Sequence, residues 1–475
     1  LAAALASVFD PIFSHGLDPC GSESTRRLRA DYPFQTHSGG LLMSIDADRR
    51  LFLKASASLL AASAITQDQG QTRLRAAETP PSETVRVAMM GVNGRGLALT
   101  KGFLAAAGAE VVAICDVDSR AATRAAGEVA KGQSRPAKVE KDIRKVLDDP
   151  SIDAIVVAAP NHWHAPATIL GCAAGKHVYV EKPLSQTPEE GELAVRAARK
   201  HNRVVQMGSQ RRSRPGVAEG IAKLHAGEIG DVLYARTWYN NRRESIGHGA
   251  PAAVPDWLDW DLWQGPAPRR PYVDNVVHYN WHWHWHWGGG ELANNGIHSL
   301  DLARWGLDVR FPSHVTAGGG KYRHDDSQET PDTMMVTFDF AEGKTITWEG
   351  LSWSSFGPRD SGFGVTFHGT QGSMAILDAG YVTYDMRNRE TGKGTGPSGD
   401  AEHLDDFLNC IRNGERPRSD VEEAHRSTLL CHLGNIAFRT GSVLTLDSSD
   451  GHIIDNPAAQ QLWSREYDQN WQPRV

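Results

Sequence analysis

Gly91-Val92-Asn93-Gly94-Arg95-Gly96 has the composition of a phosphate-binding turn. Glycines let a backbone approach an anion, and the free N–H groups at the start of a following helix face it. The pattern departs from G-x-G-x-x-G, because Asn93 holds the second glycine place and Gly94 follows it. Asparagine tolerates left-handed backbone angles better than most residues, so the turn stays feasible; an ordinary loop is the alternative. Asp116 lies about 25 residues after Gly91, where an acid can accept both hydroxyls of an adenine ribose. Such an acid repels a 2′-phosphate and favours NAD over NADP. Arg120 is the counter-argument, and a helix cap before 119–131 is the structural alternative for Asp116.

Two further segments carry polar chemistry, Pro160-Asn161-His162-Trp163-His164 and Glu181-Lys182-Pro183. A third, Tyr279-Asn280-Trp281-His282-Trp283-His284-Trp285-His286-Trp287, alternates histidine with tryptophan. In an extended strand the histidines would share one face and the tryptophans the other. Imidazoles on one face can bind a divalent metal. No carboxylate or cysteine at ligand spacing accompanies them, and no metal is expected.

The elements that must position these residues alternate. Strands are predicted at 84–90, 110–114, 152–159, 177–180 and 204–207, with helices at 97–107, 119–131, 165–174 and 188–200. Strands alternating with helices of this length imply a parallel sheet, with the first two polar segments, 160–164 and 181–183, as loops at its C-terminal edge. From 231 the text changes to strand-like pieces at 232–238, 333–340, 344–349, 365–368 and 373–377, separated by Gly- and Asp-containing breaks, as in an antiparallel sheet. Between them an insertion, 240–287, carries Trp257, Trp260, Trp263, Trp281, Trp283, Trp285 and Trp287. Indole faces suit sugar rings, and packing within the insertion is the alternative.

Composition narrows the function classes. The 475 residues hold 50 Lys+Arg and 57 Asp+Glu, a net charge of −7, with 40% hydrophobic residues, which suits a two-domain globular chain. No basic excess supports a nucleic-acid binder. The five cysteines lack any Cys-x-x-Cys spacing, so neither a zinc ribbon nor a disulfide scaffold is expected. No apolar run approaches the roughly 18 residues of a membrane span.

Residues 1–42, ahead of the first methionine at Met43, are expected to be an unstructured upstream extension. Residues 43–82 are expected to hold an export signal and linker. Arg49-Arg50-Leu51-Phe52-Leu53-Lys54 precedes a weakly apolar stretch at 55–65 and the small-residue site Ala62-Ser63-Ala64. The order resembles a twin-arginine (Tat) signal, with Asp48 where Ser or Thr is usual. It implies export of a folded chain to the periplasm by the Tat machinery acting on 43–64. A short amphipathic surface helix is the alternative.

The Gly91–Gly96 turn, Asp116, the two polar loops, Gly288-Gly289-Gly290-x-Leu292-x-x-x-Gly296-x-His298-x-x-Asp301 and the segment 403–427 together resemble the Gfo/Idh/MocA family over roughly 83–445. The resemblance implies an α/β plus α+β fold: a Rossmann domain at 83–207 and, at 208–455, a C-terminal domain on a large, mostly antiparallel open sheet, followed by a tail at 456–475. It implies NAD (NADP less so), a small-molecule carbohydrate or cyclitol substrate, and a homo-oligomer, dimer or tetramer. For the cofactor it points to Gly91, Asn93, Gly94, Arg95, Gly96, Asp116, Pro160, Asn161, His164, Glu181 and Lys182. It makes Lys182 and His298 the catalytic pair. Lys182, buried beside a nicotinamide, would have its pKa lowered into the working range, and a histidine titrates there unaided. On the substrate side stand Asn294, Asp301, His282, His284 and Trp283. Many family members carry aspartate where Asn294 stands, so simple dehydrogenation competes with a redox-neutral glycoside hydrolase or lyase. A non-catalytic binding protein with a relic pocket is the third reading.

Overall fold

The computed structural model describes residues 84–378 and 380–475. The expected extension at 1–42 and the export signal and linker at 43–82 lie outside them.

β1 (Val85–Met90) ends in the glycine turn, from which α1 (Arg95–Ala105) leaves. Then follow β2 (Ala109–Cys115), α2 (Ser119–Gly132), β3 (Lys138–Glu140), α3 (Ile143–Leu147), β4 (Ala154–Val157) and α4 (Asn161–Ala173). β5 (His177–Val180), α5 (Pro188–Lys200) and β6 (Val205–Met207) complete the first sheet. Its order is β3-β2-β1-β4-β5-β6, with every neighbouring pair parallel. The chain reverses direction across the sheet between β1 and β4, and in such folds the ligand crevice opens beyond the strands' C-terminal ends there. Val85, Val87, Met89, Val111 and Ile114 are buried on one face with Phe103 of α1 and Ala121, Ala125 and Val129 of α2. Asp118, not Asp116, caps α2 by accepting from the N–H groups of Arg120 and Ala121. Helix α5 starts on capping Thr187 and Pro188, with Glu189 and Glu190 in its first turn and Arg199 and Lys200 in its last, as the helix dipole favours.

After α6 (Pro215–His225), β7 (Val232–Asn240) opens the second sheet. The chain then passes α7 (Trp260–Gln264) and reaches α8 (Ile297–Leu307) through a single π-helical turn, Leu292–Gly296. β8 (His314–Gly320), β9 (Thr333–Phe340), β10 (Lys344–Leu351), β11 (Phe363–Gly369), β12 (Gly372–Ile376), β13 (Gly380–Asp385) and β14 (Glu390–Thr395) follow. α9 (Asp400–Asn413), α10 (Val421–Thr440), β15 (Leu444–Leu446), β16 (Ile453–Ile454) and α11 (Pro457–Gln460) end the chain. The sheet has ten strands in the order β14-β13-β12-β11-β7-β10-β9-β8-β15-β16, antiparallel except where β7 pairs with β10. α8 and α10 cover one face, and α10 also packs on α5, joining the two sheets in one core. β8 escapes sequence reading because His-Val-Thr-Ala-Gly-Gly-Gly has little strand propensity.

The segment 279–287 is not the extended strand its alternation suggests. Asn280–Trp283 is a turn of 3₁₀-helix, and 285–287 form a further turn. The cause is aromatic packing. Trp281 and Trp287 join Trp260, Trp263, Leu258, Tyr272 and Val276 in a small separate core, and only a coiled backbone brings 281 and 287 to the same cluster. Trp263 lies 4.7 Å from Trp260 and 4.9 Å from Trp287 by ring centroids. The three histidines therefore face different partners: His282 the carbonyl of Tyr279, His284 the carboxylate of Glu329, and His286 the carbonyl of Pro268.

Two long-range returns close the molecule over the first sheet. The insertion crosses the end of β2, where Ser119 N donates to Trp257 O and Asp259 N to Val117 O, each at 3.0 Å. The tail sets Trp471 edge-on against Trp163 at 4.9 Å and pairs Arg465 with the fully buried Glu190 at 2.6 Å.

Candidate active site

A cleft of about 460 Å³ opens at the C-terminal ends of β1, β2, β4 and β5. It collects Gly91, Asn93, Gly94, Arg95, Asp116, Pro160, Asn161, His164, Glu181, Lys182, His282 and Asn294 from six separate stretches of chain.

The glycine turn fits a dinucleotide phosphate. A Cβ at Gly91, which has φ of +77°, would lie 2.7 Å from the Ala159 nitrogen, so only glycine allows β1 and β4 to approach here. A Cβ at Gly94 would meet nothing within 4 Å, which leaves open space over the start of α1. Gly96 does not line the cleft. A Cβ there would fall 1.8 Å from the Gly91 carbonyl oxygen, and Gly96 serves the tightness of the turn. Asp116 Oδ2 accepts from Val92 N at 2.7 Å and Oδ1 from Asp118 N at 2.8 Å. Burial raises its pKa while these two N–H groups lower it. Each oxygen keeps a second lone pair for a ribose hydroxyl. Arg120 is engaged elsewhere: it bonds Asp118 at 3.2 Å and stacks 3.4 Å above Trp257. These residues fit NAD, and the arginine that would have argued for a 2′-phosphate is turned away.

Lys182 follows β5 and ends in the cleft. Its Nζ donates to the Asn294 backbone carbonyl at 2.5 Å and to Asn294 Oδ1 at 3.0 Å. Burial lowers its pKa, opposed by the charges of Glu181 and Glu291. Both carboxylates are already paired with arginine, Glu181 with Arg95 at 2.8 Å and Glu291 with Arg243 at 2.5 Å. The lysine therefore meets two neutral oxygens rather than a free carboxylate. The π-helical turn places the Asn294 carbonyl and amide together, and such bulges recur at functional sites. His164 ties the two polar loops, with Nδ1 2.6 Å from the Pro183 carbonyl and Nε2 2.7 Å from the Ala159 carbonyl. Burial lowers its pKa, and the two carbonyls oppose that.

Besides Gly96, four of the residues expected from the sequence stand outside the cleft lining. His298 sits in the first turn of α8, where burial and then the charges of Lys182, Arg211 and Arg95 hold it neutral, its Nδ1 buried without a partner. Asp301, one turn further on, is 1% exposed and carries a structural ion pair. It accepts from Arg212 Nε and Nη2, both at 2.8 Å, and from Ser427 Oγ at 2.7 Å. A substrate cannot reach it. Trp283 is buried beneath Arg243, which lies 4.8 Å from its ring, and His284 faces Glu329. Their displacement follows from the coiled path of 279–287. His282 does reach the cleft, stacked at 3.6 Å on Trp281, with burial pulling its pKa down to about 3. It is a neutral hydrogen-bonding group there.

A model of the oxidoreductase family's NAD-binding Rossmann fold matches residues 85–209, and one of its C-terminal alpha/beta domain matches 235–473. The chain belongs to the Gfo/Idh/MocA family. Among relatives, scyllo-inositol 2-dehydrogenase (NAD(+)) of Bacillus subtilis (strain 168) is 25% identical over 382 residues, 76% of this chain and 96% of that one. Glycosyl hydrolase family 109 protein 2 of Shewanella sp. (strain ANA-3) is 36% identical over 159 residues, 30% of this chain. The chain spans only 35% of that relative's length. Levoglucosan dehydrogenase in complex with NADH and levoglucosan shares the fold at a TM-score of 0.61 and 20% identity, over 76% of this chain and 99% of that one.

In this Gfo/Idh/MocA member several cleft residues escape sequence reading: Trp163, Gln210, His278, Tyr279 and Trp471. His278 Nε2 lies 2.8 Å from Asp118 Oδ2 and its ring 5.5 Å from Trp257, so the insertion reaches the segment just after Asp116. Tyr279 bonds both Arg243, at 3.1 Å, and Asn294, at 3.4 Å. The Tyr-Asn before the alternating stretch was a usable signal for Tyr279. Nothing local marks Trp471, which arrives from the far end of the chain.

Proposed function

We propose that the protein is an exported NAD-dependent oxidoreductase acting on a hydroxyl-bearing carbon of a sugar, glycoside or cyclitol. The observation that carries this reading is Lys182 Nζ, buried in the same cleft as the glycine turn and Asp116 and held by two neutral oxygens of Asn294. Bound NAD supplies the hydride acceptor for a carbinol C–H. Gly94 leaves room for its phosphates over the start of α1, where Gly91 lets the turn pack close to β4, and Asp116 would accept from its ribose. A neutral amine has two N–H groups, and Lys182 donates to two oxygens, so its lone pair remains for the substrate hydroxyl proton. Trp263, Trp281 and Trp471 line the cleft and exclude water, which suits the C–H faces of a saccharide ring. Export rests on Arg49-Arg50 and the apolar stretch after them.

The test is to add NAD to the purified chain with a panel of hexoses, glycosides and inositols and to follow absorbance of the reduced nicotinamide. Reduction by at least one polyol carries the reading, and none across the panel sinks net dehydrogenation.

The family 109 relatives favour a second reading, redox-neutral glycoside cleavage with the hydride returned to the same sugar. It predicts release of nitrophenol from aryl glycosides without added NAD and without net reduction.

Asn294 has a measurable consequence. Asn294→Asp would put a carboxylate against Lys182 and favour its charged form, raising its pKa by roughly 1–3 units. Because the base must be unprotonated, the acid limb of the pH–rate profile should move to higher pH. An unmoved limb would show that Lys182 is not the titrating base.

A further inference from the structure

A second cavity, of about 390 Å³, shares no lining residue with the dinucleotide cleft. It lies between the start of α5, the end of α10, the 285–289 segment and the tail. Its lining holds four arginines, Arg269, Arg270, Arg439 and Arg465, against one carboxylate, Glu466. Two of the four are partly satisfied. Arg465 pairs with buried Glu190 at 2.6 Å, and Arg269 faces Asp261 and Asp468 at 3.9 and 3.8 Å. Arg270 and Arg439 have no carboxylate within ion-pairing distance among the described residues. Arg439 rests 5.1 Å from the Trp285 ring, and both arginines interact with the charge of Glu329, which lies outside the lining. The excess of positive charge shows in a neighbour: burial, and then Arg270, bring His286 down to about 4.

Further polar groups complete the wall. Gln186 Oε1 and Arg465 Nη1 are buried without partners, and Asn435 lines the cavity while bonding the Gly289 carbonyl at 2.8 Å. Two unpaired guanidiniums call for an oxyanion, which they bind with paired, charge-assisted hydrogen bonds. The volume, in the range of small-molecule sites, far exceeds what an inorganic anion fills. The half-buried indole and the amide groups suit a ring bearing hydroxyls.

We propose that this cavity binds an acidic saccharide, its carboxylate or sulfate held by Arg270 and Arg439 and its ring packed on Trp285. The inference goes beyond the redox reading and does not require it.

The experiment is isothermal titration of the full chain, loaded with NAD, with D-glucuronate, D-glucose and inorganic sulfate as separate probes. Glucuronate should bind saturably. Arg270→Ala and Arg439→Ala should each weaken it roughly tenfold, the loss of one charge-assisted contact. Both side chains are exposed, so these variants should keep the parent's thermal midpoint. Trp285→Leu should weaken glucuronate but not sulfate, and Lys182→Ala should change neither. Failure of the redox reading leaves these titrations untouched, which separates the two. No saturable glucuronate binding, or binding indifferent to both arginines, overturns the proposal. Sulfate binding as tight as glucuronate overturns the saccharide assignment.

Discussion

Lys182→Ala is expected to lower turnover by roughly 10²–10⁴-fold, the range for a positioned general base, while NAD still binds. The phosphate turn and Asp116 are separate from the lysine and remain intact. Lys182→Arg is expected to be equally inactive, since a guanidinium stays protonated and has no lone pair to offer. Rate and cofactor affinity have to be read together, by single-turnover absorbance and by titration of intrinsic fluorescence with NAD. A variant near the parent's rate would remove Lys182 from the chemistry and the cleft from the proposed function. Equal loss of rate and NAD affinity would make the lysine a cofactor-holding residue only.

The second large effect is on stability. Asp301→Ala strands the Arg212 guanidinium, whose side chain is 5% exposed, without its bidentate partner. Breaking a buried pair from one side costs about 3–5 kcal/mol. Glu423, 3.7 Å from Arg212 on the other side, places the cost toward the lower end. The chemical-denaturation midpoint should fall accordingly. The paired replacement Asp301→Leu with Arg212→Met should recover much of the loss, because no charge is then left buried. Were Asp301 a substrate contact instead, the alanine variant would keep its stability and lose affinity for sugar. The two outcomes separate a sequence-motif aspartate that holds α8 to α10 from one that touches ligand.

The ordering of the Rossmann half was legible because it is local. Alternating strands and helices, the glycine turn and the acid after β2 each depend on residues close in sequence, and right-handed crossovers then put the helices on the faces of a parallel sheet. Lys182 was legible for the same reason, as a polar residue immediately after a buried strand. The alternating Trp-His segment was misleading because period alone cannot distinguish a strand face from a coil that folds its indoles into one cluster. Trp281 and Trp287 gain more by joining Trp260 and Trp263 than the segment would gain as an exposed strand. His284 and Trp283 went elsewhere with it.

Sequence by itself determined the family, the Rossmann fold, the antiparallel nature of the second sheet and the glycine turn after the first strand, because those follow from periodicity and from short motifs. Tertiary structure decided which motif residues face the cleft. It sent Asp301 into an ion pair with Arg212 and set His298 behind the lining. It brought Tyr279, His278 and Trp471 to the cleft from distant stretches. The physical reason is the same throughout: a side chain's direction depends on what packs behind it, and the partners here come from other elements of the chain, as Trp163 does for Trp471 and Arg212 for Asp301.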